Sequence, residues 1–324
     1  MNGCDRRGRA LALWVKIWTG VAGMSWFYRA YDLTIESEFE LEELQSCAPP
    51  GLHAAHVSIR SGSIDKTVLS ALNPLHPQVS VGPGTLWLNI PGVAVYAVLD
   101  GHEVLIQPYP GADPGGIKLF LLGTCIGAIL WQRGFTVLHG NAVRIGDGVM
   151  VCVGHSGAGK STLAAEFIRR GFPVIADDVV AVDQNANAVQ GIPRIKLWQE
   201  SLDHFDLDNS NLTRLRSGED KFSVKFEAVN DAARLPVKWI FVLEAGDCDY
   251  PHIEAIRAME ALPLLVEHSY RLELVSGFDL RGSHFLNCTQ IASQAVVAKV
   301  IRPRSGFLLT QLYDVVTDFV EMHQ

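Results

Sequence analysis

The chain is short of the features that mark several protein classes. Its six cysteines (Cys4, Cys47, Cys125, Cys152, Cys248 and Cys288) are scattered over 324 residues with no CxxC pair, which excludes a zinc ribbon or a disulfide framework. Reduced thiols in a cytoplasmic protein fit this usage, and Cys152, inside an apolar run, reads as a small buried hydrophobe. Positive charge is also scarce: 27 Lys and Arg stand against 35 Asp and Glu, a formal net charge of −8. Without a basic stripe, no nucleic-acid partner is expected, because phosphate backbones reward clustered cations. There is no internal repeat and no low-complexity tract. Long uninterrupted apolar runs are missing too. Residues 10–26 follow Arg6, Arg7 and Arg9 in the manner of a signal peptide, but Lys16 breaks the run and no small-residue cleavage site follows. Residues 1–23 therefore read as an N-terminal extension or as a misassigned start ahead of Met24. Residues 117–132 carry Lys118 just inside their start and are bounded by Arg133, and they fall short of the about 20 residues a spanning helix needs. A buried helix is expected there, and no membrane association. The hydrophobic share of 48% is ample for a globular core.

Two regions of different pattern follow. From Phe27 to about Pro110, short apolar alternations at 56–60, 85–90, 93–99 and 103–108 are separated by Gly and Pro, the pattern of an antiparallel sheet. Residues 111–116, with Pro114 and three glycines, read as a boundary. This divides the chain into a mainly β region, 24–112, and a catalytic region, 113–324. Past Phe135 the order becomes strand 136–145, strand 149–153, helix 160–170 and strand 174–176, a βαβ unit with an extra hairpin in front. Leu163, Ala164, Phe167 and Ile168 give the helix an apolar face, and Gly171 stops it. A strand at 238–244 and helices at 260–268, 291–301 and 308–322 are expected further on. The fold class is α/β.

The chemistry is concentrated in Gly154-His155-Ser156-Gly157-Ala158-Gly159-Lys160-Ser161, a complete GxxxxGK[ST] motif set between an apolar strand and an amphipathic helix, with Thr162 continuing it. Glycines let backbone amides close round phosphate oxygens, and the helix N-terminus adds partial positive charge. Lys160 is expected on the β- and γ-phosphates of ATP and Ser161 on Mg2+. Seventeen residues after Lys160, at the next strand end, stand Asp177 and Asp178. A carboxylate there can hold magnesium, and a second can accept the proton of an attacking hydroxyl. His139 lies on the strand before the hairpin, within reach of the acid pair; a structural histidine is the alternative.

Residues 138–180, LHGNAVRIGDGVMVCVGHSGAGKSTLAAEFIRRGFPVIADDVV, resemble the catalytic core of the HPr kinase/phosphorylase family. That family places a His-Gly pair, a hairpin, a GxSGxGKS loop, one helix and an Ala-Asp-Asp strand end in this order. The resemblance implies a P-loop kinase core of the HPr kinase/PEP carboxykinase type, phosphorylating a protein serine. It implies that Asp177 is the acid/base, that His139 positions it, that Asp178 is its partner near the metal, and that Lys160 and Ser161 bind phosphate and magnesium. The family's Glu-Ile-Arg-Gly signature has no clean counterpart; Gly191 to Trp198 stand there instead, offering Arg194 or Lys196 as phosphate neighbours, with Lys221 a third. The front segment Phe27 to Glu38 is similar to HPr-kinase-like enzymes of lasso-peptide clusters, which phosphorylate the C-terminal serine of a precursor. The partner implied is thus a peptide or protein serine, with homo-oligomerisation left open. A small-molecule kinase and an ATPase switch without an acceptor are the alternatives.

Overall fold

The computed structural model describes residues 25–51, 54–64, 72–210, 212–214, 220–226 and 234–323. The expected extension 1–23, and Gly218 and Glu219 beside Lys221, lie outside the described residues. The front region forms one sheet of β1 (Trp26–Ala30), β2 (Leu33–Ser37), β3 (Gln45–Ser46), β4 (Val57–Ser61), β5 (Asn73–His76), β6 (Val79–Gly82), β7 (Thr85–Ile90), β8 (Ala94–Leu99) and β9 (Glu103–Pro108), in the order β3-β1-β2-β4-β9-β8-β7-β6-β5. Period-two alternation puts Leu33, Ile35 and Ser37 of β2 inside and Thr34 and Glu36 outward, as a half-buried sheet requires. The antiparallel expectation is corrected at two joins. β4 runs parallel to both β2 and β9, because it is reached through a long connection and no hairpin dictates its direction.

The β1–β2 hairpin turns on Tyr31 and Asp32, both at positive φ (54° and 57°). Two left-handed residues in a two-residue loop match the right-handed twist of the flanking strands. The turn is held in place from the catalytic region: Tyr31 N–H donates to the Gln190 carbonyl at 2.8 Å, and its hydroxyl donates to the Val179 carbonyl at 3.2 Å.

Helix α1 (Pro114–Gln132) opens with Asp113 accepting from Gly116 N–H at 2.9 Å and Pro114 at its first position, a favoured start. A π-turn occupies Leu121–Cys125. The helix is long and apolar enough to cross a membrane by length and composition alone. Here Ile117, Leu121, Ile126 and Ile129 are enclosed with Ile35, Val81 and Tyr96 of the front sheet, the buried helix expected from sequence.

The remainder comprises β10 (Thr136–Leu138), β11 (Gly140–Ile145), β12 (Gly148–Val153), α2 (Lys160–Arg169), β13 (Val174–Asp177), β14 (Val180–Val182), β15 (Asn187–Ala188), β16 (Arg194–Trp198), α3 (Gln199–His204), β17 (Thr213–Arg214), β18 (Lys221–Lys225), β19 (Leu235–Gly246), β20 (His252–Ala255), α4 (Ala258–Glu267), α5 (Leu272–Gly277), α6 (Arg281–Gln294), β21 (Val296–Pro303) and α7 (Leu309–Met322). The main sheet runs β10-β14-β15-β19-β12-β11-β13, with β21 on β19 and β20 on β21; β16, β18 and β17 form a small second sheet. This is an α/β P-loop core.

Three expectations change. The strand expected over 136–145 is two strands that part at His139, β10 pairing with β14 and β11 with β12. In the βαβ unit, β13 lies beyond β11 and antiparallel to it, and the parallel neighbour of β12 is the distant β19. The helix expected over 291–301 is instead the end of α6 followed by β21, whose Val296, Val297, Val300 and Ile301 pair in parallel with β19. β-branched side chains suit a pleated interior better than a helix.

Candidate active site

The P-loop leaves β12 and enters α2 as its composition requires. At Gly154 a Cβ would stand 2.4 Å from the Leu243 carbonyl oxygen, and Gly159 holds φ 104°, so neither position takes a side chain without strain. Lys160 is buried and folds back on the loop, its Nζ donating to the carbonyls of Gly154 at 2.6 Å and His155 at 3.0 Å. Burial lowers its pKa from the usual lysine range. Asn141 on β11 donates from Nδ2 to the Lys160 carbonyl at 2.6 Å, tying the first turn of α2 to the sheet.

The two aspartates point different ways. Asp177 ends β13, and its carboxylate accepts from Ser161 Oγ at 2.9 Å and from Lys196 N–H at 2.8 Å. Burial, reinforced by the neighbouring Asp178 charge, raises its pKa. Asp178 has φ 73°, and this left-handed step directs its carboxylate to the other side, onto Lys196 Nζ at 2.6 Å and 3.4 Å from His139 Nδ1. Burial alone would raise its pKa, but the Lys196 ammonium and His139 outweigh it and hold the carboxyl well below the usual range. The expected pairing of His139 with Asp177 is therefore corrected: the histidine sits on Asp178. His139 occupies the break between β10 and β11, its N–H bonded to the His268 carbonyl at 2.8 Å. Its Nδ1 faces two acceptors, the Asp178 carbonyl at 3.2 Å and the Asp178 carboxylate. That position favours the proton on Nδ1 and leaves Nε2 as the acceptor. Burial lowers its pKa, against the pull of Asp178.

A cavity of about 840 Å³ opens over these groups, lined by P-loop residues from Ser156 to Thr162, by His139 and Asp178, and by Lys196, Lys221 and Arg302. Asp177 and Arg194 are not on its wall. Among the expected cations, Lys196 is the clamp on Asp178, and Lys221 lies with Nζ 5.3 Å from the Trp198 ring centroid. Arg194 is 5% exposed, and its backbone N–H donates to the Ile192 carbonyl at 2.8 Å. It stands beside buried Tyr31, whose hydroxyl feels its charge.

Sequence reasoning missed Arg302, at the end of β21. Its Nε donates to the Ala158 carbonyl at 2.6 Å, Nη2 to Gly157 at 3.1 Å and Nη1 to Pro303 at 2.9 Å, so it braces the loop from outside the cradle. Reading 291–301 as a helix hid it; an arginine closing an apolar strand parallel to the P-loop strand was the available signal. His268 was missed as well. Its ring meets P-loop His155 edge-on at 5.3 Å, while His155 Nε2 lies 3.3 Å from Glu267 Oε1.

Residues 134–202 match the family described as HPr Serine kinase C-terminal domain. This segment is HPr-kinase-like. The matched segment contains His139, the whole P-loop, both aspartates, Arg194 and Lys196; Lys221 and Arg302 lie outside it. Comparison with curated protein sequences finds no match. Among solved structures, the chain is similar to the Hpr(Ser) kinase/phosphatase from Coxiella burnetii, at 14% identity over 58% of this chain and 99% of that one, with a TM-score of 0.27. Within the HPr-kinase-like segment, Lys160, Ser161 and Asp178 line the cavity, and Asp177 at the strand end is hydrogen-bonded to Ser161.

Proposed function

We propose that this protein is a magnesium- and ATP-dependent cytoplasmic kinase that transfers the γ-phosphoryl group to a serine hydroxyl of a peptide, with the C-terminal serine of a lasso-type precursor as acceptor. The observation that carries the reading is the convergence of Lys160, Ser161, Asp178 and His139 on one cavity, with Asp177 hydrogen-bonded to Ser161. Lys160 would leave its loop carbonyls for the β- and γ-phosphates, and the P-loop amides would hold the remaining oxygens.

The Ser161 hydroxyl and an Asp177 carboxylate oxygen, 2.9 Å apart, are hard oxygen donors of the kind magnesium takes. These two residues would hold the ion, whose charge offsets that developing on the phosphates. Asp178 is the carboxylate that opens onto the cavity, so the roles inferred from the family resemblance are exchanged: Asp178 orients the acceptor hydroxyl and takes its proton, with His139 at its side. Its depressed basicity is no obstacle, since a loose phosphoryl-transfer transition state demands positioning of the nucleophile more than a strong base.

The front segment Phe27 to Glu38, similar to that of the lasso-peptide enzymes, supports a carboxylate-ended acceptor. The test is incubation with γ-labelled ATP, magnesium and serine-ending peptides, each as free acid and as amide. Label is expected on the acids, much less on the amides, and on neither with Asp178→Asn. Equal labelling of acid and amide would remove the C-terminal preference, and release of free phosphate unchanged by every peptide would replace the kinase with an ATPase.

A further inference from the structure

The cavity is lined by both cations and an apolar run. Lys160, Lys196, Lys221, Arg302 and Arg304 are among its lining residues, and so are Pro303, Phe307, Leu308, Leu309 and Leu312. A triphosphate on the P-loop runs from Lys160 toward the first turn of α2, and two contacts lead onward from there. Thr162 Oγ1 lies 2.9 Å from Ser201 Oγ, joining α2 to α3, and the ring of His204 at the end of α3 lies 4.1 Å from that of Phe307, tilted by 39°. The wall so reached has a fixed floor, Leu309 and Leu312 being buried, and an exposed aromatic rim, Phe307 being 41% exposed. The other exposed aromatic ring of the cavity, Trp198, already has the Lys221 ammonium over it. Arg304, next to this wall, is engaged by Asp247 at 2.9 Å.

Resting on the reading of the P-loop as a nucleotide site, we propose that the Phe307 wall is the nucleobase slot, with the planar base laid on the Phe307 ring and against Leu308 and Leu312. A neutral π-system fits an apolar wall, and base–aromatic stacking tolerates any base because every base has a π-face. Phe307 is thereby a residue that sets affinity for the nucleoside and takes no part in holding phosphate.

Two probes separate the halves of the ligand: ATP, and inorganic tripolyphosphate, which has no base. In calorimetric titrations with magnesium, Phe307→Ala is expected to weaken ATP about tenfold, the scale of one base–aromatic stack, and to leave tripolyphosphate unchanged. Phe307→Trp should keep near wild-type ATP affinity, with fluorescence that ATP quenches and tripolyphosphate does not. Equal weakening of both ligands by Phe307→Ala, or of neither, would overturn the slot. Lys160→Met should weaken both ligands; wild-type protein that bound neither would remove the nucleotide reading itself, a failure distinct from that of the slot.

Discussion

Replacing Lys196 with methionine tests the electrostatics of the site most directly. The Lys196 ammonium holds the Asp178 carboxylate at 2.6 Å, with side chains only 10% and 23% exposed. Removing one partner of a fully buried pair costs about 3–5 kcal/mol. Here part of Asp178 faces the cavity and His139 Nδ1 remains 3.4 Å away, so we take about half, roughly 2 kcal/mol. At the lower end of the about 2–4 °C per kcal/mol seen for larger domains, Lys196→Met should lower the melting temperature by about 4–5 °C at pH 7. The pH dependence has a definite sign. The Asp178 pKa is depressed in the folded state, so its stabilisation is present above the unfolded carboxylate value near 3.9 and is lost as pH falls through the folded value. The gap between wild type and variant should therefore be full at pH 7 and shrink below about pH 4. Adding Asp178→Asn to Lys196→Met removes the orphaned charge and should restore most of the loss. Urea unfolding of the four proteins of this cycle measures the coupling. A single variant as stable as wild type at pH 7, or a double variant no more stable than Lys196→Met, would refute the clamp.

Three other outcomes are expected. Arg302→Met frees the carbonyls of Gly157 and Ala158 and should raise the KM for ATP about tenfold, one charge-assisted hydrogen bond's worth, with kcat and melting temperature nearly unchanged; a fallen kcat at constant KM would mean that Arg302 touches the transferred group instead. Asp177, whose pKa burial and Asp178 raise, is less easily ionised folded than unfolded, so the protein gains relative stability as pH falls through the folded value. Asp177→Asn should accordingly raise the pH 7 unfolding midpoint while abolishing transfer, the midpoint gain fading in acid, and a lowered midpoint would contradict this. At Gly127 of α1 an added Cβ would stand 2.8 Å from the Tyr270 ring, which packs 5.9 Å from His139. Gly127→Ala should destabilise by about 1–3 kcal/mol in denaturant titrations and slow transfer as well.

The local chemistry was legible in sequence wherever neighbours along the chain suffice to define it. Gly154 to Thr162 between a strand and a helix specify a P-loop, because glycine freedom and helix direction act over a few residues. The apolar helix over 117–132, the acid pair at a strand end and the short strands of the front sheet follow from the same short-range rules. Which carboxylate faces which partner was not legible: it depends on the left-handed backbone at Asp178 and on Lys196, which reaches the site from the separate β16 sheet. Nor was Arg302, since Val296 to Ile301 carry apolar residues that suit either a helix or a buried strand, and only pairing with β19 makes them a strand. The sequence by itself determined a glycine-rich loop between a strand and a helix with two carboxylates near it. The tertiary structure alone decided which partners each carboxylate meets, the brace behind the loop and the aromatic wall beyond it, because each depends on segments far apart in the chain coming together.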